Sequence, residues 1–172
     1  MILGNVNYVK KVIFPLEILP LVSIGAILFN SAVSLLMLIA AQLIFRGHIP
    51  FTIIYFPLIL LPMLLMGLGI SWFLAALTVY IRDVAQITSI FTSVLMFLSA
   101  VFFPISSLPE KYRTIMLLNP VAIIVSESRK ALIFGQSPDW ALLGLTLVFG
   151  LCVASVGYWW FQKMRKGFAD VL

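Results

Sequence analysis

The chain has 172 residues, 63% of them apolar and 10% charged, and a mean hydropathy of +1.17, which excludes a soluble globular domain and leaves an integral membrane protein. Its net charge of +5 does not mark a nucleic-acid binder, because the 11 Lys and Arg sit at the edges of apolar runs, where headgroups hold them, and not in one patch. One cysteine, Cys152, excludes an internal disulfide and a cysteine-based metal cluster.

In chain order, the first charged segment precedes a series of apolar runs. Asn5 or Asn7 can cap a short helix whose apolar residues Val6, Val9 and Ile13 recur at helical spacing, with Lys10 and Lys11 off that stripe. Pro15 drives Phe14 out of the α region and ends that helix, and Pro20 fits the first turn of the next. The opening residues lack the order of a signal peptide, so the mature chain is expected to begin as written.

Four spans are expected. Ile18 to Phe45 is charge-free and longer than the roughly 20 residues a spanning helix needs; its Asn30, Ser31 and Ser34 should face other helices. Arg46 to Pro50 is a turn. The next run is too long for one untilted helix, so its first part should lie at the interface or kink near Pro57 and Pro62, with the span at about 57–79. Gly67, Ser71 and Ala75 then form a small-residue seam at four-residue spacing. Arg82 and Asp83 hold a short loop. The third span, about 86–103, carries a hydroxyl side of Thr88, Ser89, Thr92 and Ser93 with Phe97 nearby, which either packs on partner helices or lines a polar pathway.

Residues 110–139 are different. Between Arg113 and Glu127 the uncharged stretch reaches roughly 20 Å as a helix, short of the ~30 Å hydrocarbon core, and Asn119-Pro120 interrupts it. The expectation is a re-entrant hairpin of two short helices, the second carrying Glu127, Arg129 and Lys130 toward its exit. The last span, about 140–162, has Trp140 and Trp160 at a separation that matches the two aromatic belts of a bilayer, and Lys163, Arg165 and Lys166 close it. The predicted fold is thus all-α and membrane-embedded, one domain over 1–172. Counting six basic residues on the side of the termini against five on the other favours cytoplasmic termini only slightly.

No Asp, Glu, Lys, Arg or His lies inside a span, no phosphate-binding loop of the G-x-x-x-x-G-K-[ST] type is present, and His48 has no second ligand at metal spacing. Neither paired carboxylates nor a Ser-His arrangement points to an enzyme. If the chain moves something actively, the energy has to come from a partner.

At this point the opening segment becomes specific. Asn5, Lys10-Lys11, Phe14-Pro15, Glu17 and Pro20, followed in order by Tyr80-x-Arg82-Asp83-Val84, Phe103-Pro104-Ile105, Leu108-Pro109, Asn119-Pro120 and Glu127-x-Arg129, resemble the membrane subunits of type-2 ABC exporters for polysaccharides, the O-antigen, capsule and teichoic-acid permeases. The resemblance runs over essentially the whole chain. It implies that residues 1–17 form a cytoplasmic coupling segment, that a separate ABC ATPase binds ATP and Mg, and that two copies of the permease assemble around a path for a lipid-linked glycan in the inner membrane. A drug or another hydrophobic cargo, or a non-functional fragment, is the alternative. Family members carry an amphipathic helix and two more spans ahead of this segment, so residues 1–172 expressed alone are expected not to export.

Overall fold

The computed structural model describes residues 17–81, 83–99, 101–102, 109, 116, 118–165 and 167–168, and among these no residue lies in a strand. Helix α1 runs Ile18–Arg46 and stops at Gly47, which takes the left-handed conformation at φ 69° and donates its N–H to the Leu43 carbonyl, 3.2 Å away. A 3-10 turn, Phe51–Tyr55, leads into α2, Phe56–Tyr80, with Pro57 in the first turn, where its missing N–H costs nothing. Helix α3 is Val84–Leu98. Helix α4, Pro120–Arg129, continues into a π-turn, Lys130–Phe134, and ends at Gly135, also left-handed at φ 65°. The last helix, α5, spans Trp140–Arg165; the Asp139 Oδ1 accepts from the N–H groups of Ala141 and Leu142 at 3.0 and 3.2 Å.

The core is the pairing of α2 with α5. Glycines let the two backbones touch: a Cβ at Gly69 would lie 2.7 Å from the Ala154 nitrogen, one at Gly157 would lie 2.7 Å from the Gly69 Cα, and one at Gly150 would lie 2.9 Å from the Pro62 carbonyl oxygen. Gly150 and Gly157 are seven residues apart, as are Gly69 and the fully buried Ala76, the repeat that keeps one face on a neighbour at a shallow crossing. Within this chain the close approach runs through Gly69 and Ala76 and not through the expected four-residue seam. Ala75 is buried, but a Cβ on Gly67 would meet nothing within 4 Å.

Two apolar clusters flank this seam. Ala75, Ala76, Val79, Phe161 and Phe168 pack together near the end of α2, and Ile59, Met66, Ile124, Ala131 and Leu143 bring α4 into the angle between α2 and α5. Helices α1 and α3 lie outside this core. Asn30 and Ser34 of α1 are exposed and Ser31 is half-buried, so the expected helix contact is not made within this chain; the Ser34 hydroxyl instead donates to the Asn30 carbonyl at 2.9 Å.

Among the described residues, three helical segments are long and apolar enough to cross a membrane: Ile18–Arg46, Phe51–Tyr80 and Trp140–Arg165. The fourth expected span is described only as far as Leu98, about 22 Å of α3. Its expected end at Phe103 lies outside the described residues. Trp160 packs on Phe73, with ring centroids 5.4 Å apart, while the exposed neighbour Trp159 carries Lys163 over its face at 5.1 Å.

Candidate functional site

Polar side chains that bond between helices form a cluster at each of the two ends of the helical assembly. At the end where α1 begins and α5 finishes, Glu17 is the junction. Its carboxylate Oε1 accepts from Gln162 Nε2 at 2.9 Å and from Arg165, both on α5, and its carbonyl accepts from Trp72 Nε1 on α2 at 3.2 Å. One residue thereby joins three helices. Burial pushes the Glu17 carboxyl up, but its own backbone amide, Gln162 and the Arg165 charge outweigh that and leave it below the ordinary 4.5. Nearby, the Tyr80 hydroxyl donates to the Met164 carbonyl at 3.0 Å, which ties the end of α2 to the end of α5.

At the opposite end, α4 is finished by side chains from elsewhere. The last carbonyls of a helix have no partner within it. Here the Ala131 carbonyl accepts from Thr52 Oγ1 at 2.6 Å, the Leu132 carbonyl from Gln42 Nε2 at 2.5 Å, and the Ile133 carbonyl from Arg46 Nη1 at 2.6 Å. Gln42 is buried and its Oε1 has no hydrogen-bond partner. Glu127, only 2% exposed, accepts from Lys130 Nζ at 2.6 Å and from the Asp139 backbone N–H at 2.8 Å, so it pins the turn after α4 against the helix itself. At the other terminus of α4, Asn119 is the cap: its Oδ1 accepts from the Val121 N–H at 3.0 Å while its Nδ2 donates to the Leu98 carbonyl at the end of α3, 3.1 Å away. Arg129 reaches the Val101 carbonyl at 3.1 Å.

Among the described residues, the hydroxyls of Thr88, Thr92 and Ser93 on α3 bond within the helix. Thr88, Thr92 and Ser93 donate to the carbonyls of Val84, Thr88 and Ser89 at 2.7, 2.8 and 3.0 Å. Ser89, Thr92, Ser93 and Phe97 are exposed and Thr88 is half-buried. Such back-bonding lets a hydroxyl face lipid or a partner helix without an unmet hydrogen bond.

Of the residues singled out in the sequence, Glu17 is at the first polar end, Asn119, Pro120, Glu127 and Arg129 share α4 and its cap, and Asp83 precedes α3. Asn5, Lys10, Lys11, Phe14, Pro15 and Arg82 lie outside the described residues. The structure adds Gln42, Arg46, Thr52, Trp72, Gln162 and Arg165 to this set. A partial signal existed for two of them: Gln162 and Arg165 are three apart and so share a helix face.

Residues 1–133 match the family described as ABC-2 type transporter. The chain belongs to that family. Two O-antigen export system permease proteins named RfbA are similar to it: one from Myxococcus xanthus at 26% identity over 170 residues, 95% of this chain and 64% of the relative, and one from Klebsiella pneumoniae at 20% identity over 171 residues, 99% and 66%. The chain spans just under two thirds of the length of these relatives. The ABC-2 match takes in α1 through α4, and α5, which follows it, supplies the other half of the α2 core.

Proposed function

We propose that this ABC-2 type chain is the membrane-spanning part of an ATP-driven exporter of lipid-linked polysaccharide, of the O-antigen, capsule or teichoic-acid kind. The observation that carries the cargo is the similarity over 95% or more of the chain to O-antigen export permeases. In this reading the chain crosses the inner membrane four times with both termini in the cytoplasm. Residues 1–17 dock on an ABC ATPase that holds ATP and Mg, with Asn5, Lys10, Lys11, Phe14 and Pro15 at the contact and Glu17 passing its position on to α5; Arg82 and Asp83 sit on the same side.

Two copies form a homodimer, and the hydroxyl side of α3, Thr88, Ser89, Thr92, Ser93 and Phe97, lines the path between them. Residues 110–139 form a re-entrant element on the outer face. Support for that last part is local: α4 with its π-turn is 15 residues, about 22 Å, too short to span, and its end carbonyls are covered by protein, as backbone at membrane depth must be.

Deleting the gene tests the cargo. Surface polysaccharide should disappear while lipid-linked glycan accumulates on the cytoplasmic side, and purification of the native protein should bring an ABC ATPase with it. Normal surface polysaccharide in the deletion strain would remove glycan as the cargo.

A further inference from the structure

Helix α1 is fastened at both ends and held little between them. Its buried residues are Pro20 and Ile24 near the start and Gln42 near the finish. The 18 residues from Ile24 to Gln42 rise roughly 27 Å, and the helix has no proline beyond Pro20 to bend it. At the start, Glu17 is gripped by Gln162 and Arg165 of α5 and by Trp72 of α2. Near the finish, Gln42 and Arg46 do more than touch α4: they supply the hydrogen bonds that satisfy its terminal carbonyls at Leu132 and Ile133. Moving α1 along its axis or turning it therefore either carries the end of α4 with it or takes these donors from the Leu132 and Ile133 carbonyls, the first of them in a buried bond.

We propose that α1 is a connecting rod that transmits movement from residues 1–17, through Glu17, to the C-terminal end of α4 by way of Gln42 and Arg46. The end of α4 and the turn after it then shift in step with nucleotide binding by the ATPase. The inference rests on the ATPase-coupling role proposed above for residues 1–17. Stiffness comes from the unbroken hydrogen-bonded helix, and the sparse burial between the two ends leaves few contacts inside the chain that would absorb the movement. Glu127 makes the readout close at hand, because it ties Asp139, and so the turn 135–139, to α4.

The test uses the full-length permease with its ATPase in lipid nanodiscs, which leave both membrane faces open to solution, in a Cys152→Ala background carrying Ser137→Cys. Ser137 is exposed in the turn beyond α4. The rate of labelling by a membrane-impermeant maleimide is compared without nucleotide and after trapping with ATP and vanadate. A severalfold nucleotide-dependent change is expected with α1 intact, and its loss with ATP hydrolysis retained is expected in Gln42→Ala/Arg46→Ala.

Ser31→Gly/Ser34→Gly softens the middle of α1 without touching either end and should give the same loss, which separates rod failure from damage to α4. Survival of the change in that variant overturns the inference. So does an active, bound ATPase whose nucleotide state leaves position 137 unaffected in otherwise unaltered permease, an outcome that spares the export reading. An ATPase that does not bind the permease at all removes both.

Discussion

Helices α2 and α1 are both long, apolar and able to cross a membrane, yet they are built for different work. Helix α2 is locked on α5 through glycine-to-backbone contacts along its length, whereas α1 meets the rest of the chain through polar groups at its ends. In lipid, apolar side chains gain little by leaving one hydrocarbon for another, so close packing and hydrogen bonds decide which helices are fixed. Hydropathy treats the two helices alike. Their small and polar residues separate them: α2 and α5 are joined by close backbone contact, and α1 by hydrogen bonds at its two ends.

The sharpest way to break this contrast is to fill the α2–α5 seam. Gly157→Val should cost about 3 kcal/mol or more, because the added atoms meet the Gly69 backbone and no flexible side chain can yield. Gly67→Ala, at a position with open space around it, should stay within about 0.5 kcal/mol of the parent. Thermal unfolding of the detergent-solubilised protein measures both. Equal effects at the two glycines would mean that α2 and α5 are not the fixed pair.

Next in size is Glu127. Its replacement by Ala leaves the Asp139 N–H without its acceptor, at a cost of about 1–3 kcal/mol. The turn 135–139 should then become sensitive to protease while the α2–α5 pair stays intact. Protease resistance unchanged from the parent would show that the turn is held by something other than Glu127.

A smaller effect sharpens the role of Glu17. Because its carboxyl in the folded protein titrates below 4.5, the stabilisation from its charge is complete above that value and is lost as pH falls through the folded value. Raising the pH above neutrality should change nothing at this site. Melting temperatures of the parent and of Glu17→Gln should therefore differ at pH 6 and converge as the pH drops well below 4.5. A constant difference across that range would mean that the carboxylate charge contributes nothing at the junction of α1 with α5.

Much of this was legible in the sequence because hydrophobic run length and proline position are local signals. The all-helical character, the ends of α1 near Gly47, the start of α4 at Asn119-Pro120 and the last span from Trp140 were all readable that way. The face that α2 turns to α5 was not legible, because Gly67, Ser71 and Ala75 satisfy a four-residue pattern while this helix pair uses the seven-residue one through Gly69 and Ala76. Which way Trp160 faces was not legible for a related reason: distance along a helix is read from sequence spacing, but rotation about its axis packs Trp160 on Phe73 and leaves Trp159 exposed. Gln42, Arg46 and Thr52 were out of reach, since their partners lie 90, 87 and 79 residues away and are backbone carbonyls, which leave no trace in residue type.

The smallest effect on stability belongs to α3, and it decides what that helix is for. Thr92→Val keeps the side-chain shape and removes a hydroxyl whose hydrogen bond is already made to the Thr88 carbonyl of the same helix; Ser93→Ala does the same at the Ser89 carbonyl. Both should leave unfolding within about 0.5 kcal/mol of the parent, because neither creates a cavity nor strands a partner, a helical carbonyl being bonded along the backbone as well. Transport has a different dependence. A hydroxyl that bonds back to its helix still offers its lone pairs to a passing sugar, so a path lined by Thr88, Ser89, Thr92 and Ser93 loses polar contacts in the double variant Thr92→Val/Ser93→Ala. Export of surface polysaccharide should fall with stability unchanged. Full export from that variant would place the glycan elsewhere and leave α3 as a packing surface for a neighbouring helix.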